Sequence, residues 1–244
     1  ILGFRKFLSS RTSFASGLLL YSIFHVSISS QSASGDIIPS YLVALSIKMI
    51  LDCIENRTAI CLIWAGVFAG FAFGSKYNIM YTLLPFLLII IYEQYQSSKR
   101  FKKIFIELLI FSTGFLIFFL PWAIKNTLKY SDPFFPFLQQ FIAKNTSGDK
   151  IDRLLSEIKQ RDKLTASSYI RLPFEISTGK IPNSEYFTPV FLIILPVAIL
   201  NRKKKRFIKY LWFSAIISYL LWSLSTNYIR YYFSSFFILS MLVS

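Results

Sequence analysis

The sequence predicts an all-α integral membrane protein: a polytopic bundle of about eight transmembrane helices, with one long outer loop carrying a short amphipathic helix. Three observations predict it. Hydrophobic residues make up 54% of the 244 positions and aromatic residues 18%, and mean hydropathy is positive at +0.52. The apolar residues fall in runs of roughly 17 to 20, enough to cross a hydrocarbon core about 30 Å thick. The basic residues behind the +15 net charge gather in short clusters between those runs, as membrane topology requires. A nucleic-acid partner would need one contiguous, water-facing basic surface. It is set aside.

In chain order, Arg5, Lys6 and Arg11 lead into a first span over Ser13–Ser29, and a Ser-rich loop ends in Gly35 and Asp36. A second span follows over Ile37–Ile54, and then a turn with Glu55, Asn56 and Arg57. The third, Thr58–Gly74, carries Gly66, Gly70 and Gly74 at intervals of four. Small residues on one face let a neighbouring helix approach closely, which places this span centrally. After the turn at Ser75, Lys76, Tyr77 and Asn78, a fourth span runs over Ile79–Tyr95 and a fifth over Ile104–Ala123. Pro121 and Trp122 mark its expected exit, since Trp favours the headgroup level. Pro133 and Pro136 then turn the chain through an aromatic cluster.

Residues 1–123 thus form a five-span bundle, 124–186 a polar outer loop, and 187–244 three further spans, the last cut off at the chain end. Within the loop, Ile151, Leu154, Leu155 and Ile158 recur at helical spacing, predicting an amphipathic helix over Asp149–Leu164. The sixth span is Tyr186–Leu200, the seventh Phe207–Thr226, and the eighth begins at Tyr231 after a turn over Asn227–Arg230. The chain begins at Ile1 and reads as a segment of a longer protein. Cys53 and Cys61 flank a turn on the reducing side and read as small apolar residues, not a disulfide.

Orientation follows from the short loops. On one side lie Arg5, Lys6, Arg11, Arg57, Lys99, Arg100, Lys102, Lys103 and the run Arg202–Arg206; on the other lie Lys76 and Arg230. The positive-inside rule puts the first side in the cytoplasm and residues 124–186 outside. Lys76, Lys125 and Arg230 then sit at the outer ends of the third, fifth and seventh spans, against the topological bias. An anionic lipid phosphate is one reason to keep cations there, Arg gripping it bidentately and Lys acting as a point charge. Snorkelling to ordinary headgroups, or pairing with a local carboxylate, is the other. Asp36, just before the second span, is a possible substrate or metal contact. An acid at a helix N-terminus is also favoured by the dipole alone. No zinc spacing, Gly-rich phosphate loop or nucleophile elbow appears.

The stretch Pro121-Trp122-Ala123-Ile124-Lys125-Asn126, followed by Asp132-Pro133-Phe134-Phe135-Pro136, resembles a pattern in GT-C superfamily polytopic glycosyltransferases. That group includes the bacterial relatives of protein O-mannosyltransferases and of lipid A aminoarabinose transferases. There a mid-chain helix ends in P-W-x-x-[RK]-N and is followed by N/D-P-x-x-P. The resemblance extends to Ser75-Lys76-Tyr77 and Arg230-Tyr231, where such proteins place phosphate-binding cations; Lys125 is the weaker match. It implies a membrane glycosyltransferase moving a sugar from a polyprenyl-phosphate carrier to a glycan, lipid or protein acceptor on the outer face of a bacterial inner membrane. It also implies a catalytic carboxylate in an outer loop upstream of Arg5, with a divalent metal nearby; no catalytic residue is assigned within this chain. An O-antigen polymerase or ligase, with loop residues Arg153, Arg161 and Arg171, is an alternative. A lipid-linked sugar flippase ranks below both.

Overall fold

The computed structural model describes residues 9–31, 35–56, 58–98, 101–135, 166–178, 206–225 and 229–243, with positions 138, 192 and 196 besides. Among the described residues there is no strand. Their α-helices are α1 (Ser10–Ser22), α2 (Phe24–Gln31), α3 (Ile37–Asn56), α4 (Ala59–Ser75), α5 (Met80–Ser98), α6 (Phe101–Tyr130), α7 (Ala166–Ser177), α8 (Arg206–Ser225) and α9 (Phe236–Val243). Two 3-10 turns, Tyr77–Ile79 and Ile229–Ser235, lead into α5 and α9. By length and composition, α3, α6 and α8 can each cross a membrane; α4 is apolar but shorter. This is an all-α membrane protein. The amphipathic helix expected over Asp149–Leu164, and all of the expected sixth span but positions 192 and 196, lie outside the described residues.

Polarity is distributed as in a bundle surrounded by lipid. Large apolar side chains such as Phe105, Leu109, Ile117 and Leu128 on α6 and Ile216 and Leu224 on α8 are exposed, while Ser46, Thr82, Ser214, Ser218, Ser234 and Ser235 are buried. Some of these hydroxyls join helices. Ser46 Oγ donates to the Ala65 carbonyl (2.8 Å), tying α3 to α4. Thr82 shares hydrogen bonds with Ser234 (2.7 Å) and Ser235 (2.6 Å), fastening α5 to the turn before α9. Between helices in lipid, such bonds and close van der Waals packing replace the hydrophobic drive.

The expectation that the glycine stripe marks a central helix is met. α4 packs on α3 on one side and α6 on the other. A Cβ at Gly66 would overlap the Phe111 carbonyl, one at Gly70 the Phe115 carbonyl, and one at Gly114 on α6 the Ile63 carbonyl. The two helices therefore touch backbone to backbone, and each needs its glycines at the crossing. Gly74 is looser, facing the Trp122 side chain at 3.6 Å.

Three sequence expectations are corrected. The first span is broken: α1 ends at Ser22, Ile23 is extended, and α2 starts at Phe24. Ser22 Oγ takes the Leu19 carbonyl at 2.7 Å, the local competition by which Ser weakens a helix. Ile23 itself is fully buried in a cluster with Leu172, Trp222, Tyr232, Phe233 and Phe236. Second, the fifth span is expected over Ile104–Ala123 with a loop from 124; α6 runs on to Tyr130, so residues 124–130 are helical. An interior proline costs about 3 kcal/mol; side-chain bonds beyond it, described below, offset that. The stop comes at Ser131, in the left-handed region (φ 55°), followed by Asp132, whose conformation Pro133 restricts. Third, a helix unforeseen in the loop, α7, buries Leu172 among the side chains around Ile23. Pro173 and the serines at 167 and 168 hide it from propensity.

Candidate functional site

Helix direction decides what meets at one end of the bundle. α3 begins there, α4 ends there, α5 begins, and α6 and α8 end. Lys76 closes α4, its N–H bonding the Ala72 carbonyl at 2.9 Å before the backbone turns extended. Asp36 immediately precedes α3, where Ser40 Oγ donates to its carbonyl at 2.7 Å. The Lys76 ammonium and the Asp36 carboxylate form an ion pair, with the side chains 27% and 13% exposed. Each charge also suits its helix end, the cation at a C-terminus and the anion at an N-terminus. Two of the four candidate residues are thus brought into direct contact.

Arg230 is brought to the same end through its backbone. The turn Ile229–Ser235 packs against Tyr77–Ile79 and against α3 and α5. Asn78 Nδ2 donates to the Tyr231 carbonyl at 3.0 Å, and Ser225 Oγ donates to the Tyr81 hydroxyl at 2.5 Å. The residue following Lys76 by two therefore pins the residue following Arg230 by one. The Arg230 side chain itself lies outside the described residues.

Lys125 is held differently. Its ammonium stands over the Trp122 ring, 4.4 Å from the centroid, a cation–π contact. Trp122 Nε1 donates to the Tyr77 hydroxyl at 3.1 Å, and Asn126 Nδ2 donates to the same oxygen at 3.3 Å. Trp122 and Asn126 lie four apart on one face of α6 and share one acceptor. These bonds hold the end of α6 against that of α4, beside Lys76. Tyr77 lies in the 3-10 turn between spans; burial raises its pKa, opposed by the hydrogen bonds from Trp122 and Asn126. Its hydroxyl is therefore neutral at ordinary pH.

Asp132, fully buried, accepts from the Phe134 N–H (2.8 Å) and the Leu138 N–H (3.1 Å). It is a turn organiser, the role that Asp before Pro suggests. Phe134 in turn stacks on Phe119 and meets Phe73 edge-on. The P-W-x-x-K-N and D-P elements thus build a brace around Tyr77 and Phe73. Sequence reasoning passed over Tyr77, Asn78 and Asn126. The i,i+4 spacing of Trp122 and Asn126, two N–H donors on one face of an apolar helix, was the available signal.

Among the described residues no three His, Cys, Asp or Glu side chains come together as a metal site, and Asp36 is engaged by Lys76. Cys53 and Cys61 are free thiols, as expected.

Apolar membrane helices, a cation–carboxylate pair at one bundle end and the Pro-Trp brace beside it belong to a polytopic helical membrane protein. A family model described as dolichyl-phosphate-mannose-protein mannosyltransferase matches residues 2–124, and the chain belongs to that family. The match contains Asp36 and Lys76 and stops one residue before Lys125; Arg230 lies beyond it. No curated protein and no solved structure matches the chain.

Proposed function

We propose that this chain binds the phosphate of a polyprenyl-phosphate-linked sugar at the Lys76 end of the bundle, on the outer face of the membrane. The sugar then passes to a glycan, lipid or protein acceptor. The observation that carries the reading is the convergence of Lys76, Asp36 and the Arg230-bearing turn at one bundle end. The acceptor oxygen attacks the anomeric carbon, forming the new C–O bond as the bond from that carbon to the phosphate oxygen breaks. The lipid phosphate leaves with the electron pair, and the acceptor proton passes to the carboxylate that the resemblance implies upstream of Arg5. Lys76 and Arg230 stabilise the charge gathering on the departing phosphate, and Lys125 lies at the rim, nearer ordinary headgroups.

The test is transfer from a polyprenyl-phosphate sugar by the detergent-solubilised full-length protein, with the segment upstream of Arg5 included. Lys76→Ala and Arg230→Ala should each lower kcat by about 10²-fold, the usual cost of deleting one charge-stabilising group, while Lys125→Ala costs far less. Unchanged carrier binding and transfer in the Lys76→Ala, Arg230→Ala double variant would remove the site.

A further inference from the structure

Resting on that reading, we propose that Asp36 and the donor phosphate are alternative partners of Lys76, so that donor binding exchanges one anion for another. Asp36 is then a specificity-determining residue that sets which anions may have the lysine. The ion pair is directly observed, and both side chains are largely withdrawn from water. In such a setting two anions sharing one ammonium repel strongly. The partners differ in freedom. Asp36 is fixed at the entrance to α3, where both the N–H and the hydroxyl of Ser40 bond its carbonyl. Lys76 carries its charge on a four-carbon stem that can swing to a new partner. The lysine moves and the carboxylate stays.

The exchange supplies discrimination. An anion offering Lys76 nothing more than Asp36 does gains little by displacing it. A phosphate that also reaches a second cation on the neighbouring Ile229–Ser235 turn gains enough. Ordinary anionic headgroups are thereby held off by a competitor built into the chain.

The experiment measures binding of three probes to the detergent-solubilised protein: a polyprenyl monophosphate, phosphatidylglycerol and inorganic phosphate. Asp36→Asn keeps the shape and the N-terminal placement while removing the charge. It should tighten polyprenyl monophosphate about tenfold and phosphatidylglycerol by at least as much, narrowing the preference between them; a gain for inorganic phosphate alone would overturn the assignment to a lipid. Asp36→Ser, which cannot hold Lys76 as a carboxylate does, should repeat the result and guards against a folding defect in one variant. Lys76→Ala in parallel separates two failures. Unchanged polyprenyl monophosphate binding there removes the phosphate site and this proposal with it. Weakened binding there, with unchanged or weaker binding in both Asp36 variants, overturns the exchange alone.

Discussion

Where α5 stops and α8 begins, Arg206 pairs with Glu93, and Tyr210 hydrogen-bonds both. Nearby on α3, Lys48 pairs with Asp52 one turn on. At the opposite end, Lys76 pairs with Asp36 between two helix termini, ringed by the neutral hydrogen bonds of Tyr77, Asn78, Trp122 and Asn126. The ion pairs of the first end lie on regular helices. The second end is rich in irregular backbone: two 3-10 turns, the break at Ile23 and left-handed Ser131. An ion pair on regular helix mainly ties structure together. One set where helices end, on backbone that must be braced from several sides, has been placed there at a conformational cost, and such cost concentrates at functional sites.

The bluntest way to break this contrast is to part α4 from α6, on which both ends depend. Gly114→Leu drives a side chain into the Ile63 carbonyl and should cost at least about 3 kcal/mol, the upper range of overpacking. Size-exclusion profiles and thermal unfolding in detergent would show it, and a well-folded variant would contradict the backbone-to-backbone seam.

Arg206→Ala tests the contrast from the other side. It strands the buried Glu93 carboxylate, but Arg206 is well exposed, so the loss should be about 1–2 kcal/mol after discounting for solvent screening. Transfer per folded molecule should be unchanged, the reverse of Lys76→Ala. Equal damage to transfer from both would erase the distinction between the two ends.

Tyr77→Phe gives the smallest effect. It strands two donors, only one of them, on Asn126 at 2% exposure, buried, and should cost about 0.5–1 kcal/mol of thermal stability. Burial raises the Tyr77 pKa, so the folded protein holds this proton more tightly than the unfolded chain. Its contribution is whole below the unfolded value of about 10 and is lost as pH climbs through the folded one. Wild type should therefore lose stability more steeply than Tyr77→Phe above about pH 10, with no difference between them in slope from pH 6 to 9. Matching slopes throughout would place Tyr77 in water.

Much of this was legible in the residues. Hydropathy carried the helical membrane class, and Gly66 and Gly70 carried the α4–α6 crossing, because only glycine admits another backbone so closely. Lys76 and Asp36 were singled out one at a time, for their unusual positions. That they face each other was not readable, since forty residues and two helices separate them and only the antiparallel return of α4 beside α3 brings them together. The reach of α6 past Pro121 and Ala123 was hidden for a related reason. Local chemistry says stop, while Tyr77, supplied by another helix, lets the helix carry on. The true stop, Ser131-Asp132-Pro133, lacks the glycine that usually marks one. Ile23 is the converse: a local run of apolar residues says helix, and burial against Trp222 and Leu172 bends it.

The glycine seam has a mechanical consequence. Side chains cushion most helix contacts and can change rotamer to let one helix slide; where carbonyl meets Cα there is nothing to yield. α4 and α6 therefore travel as one rigid body, carrying Lys76, Trp122 and Lys125 in fixed relation. Any widening that admits a lipid must be accommodated along other seams, where side chains meet; between α4 and α3 the Ser46 hydroxyl on Ala65 is one bond that would have to give.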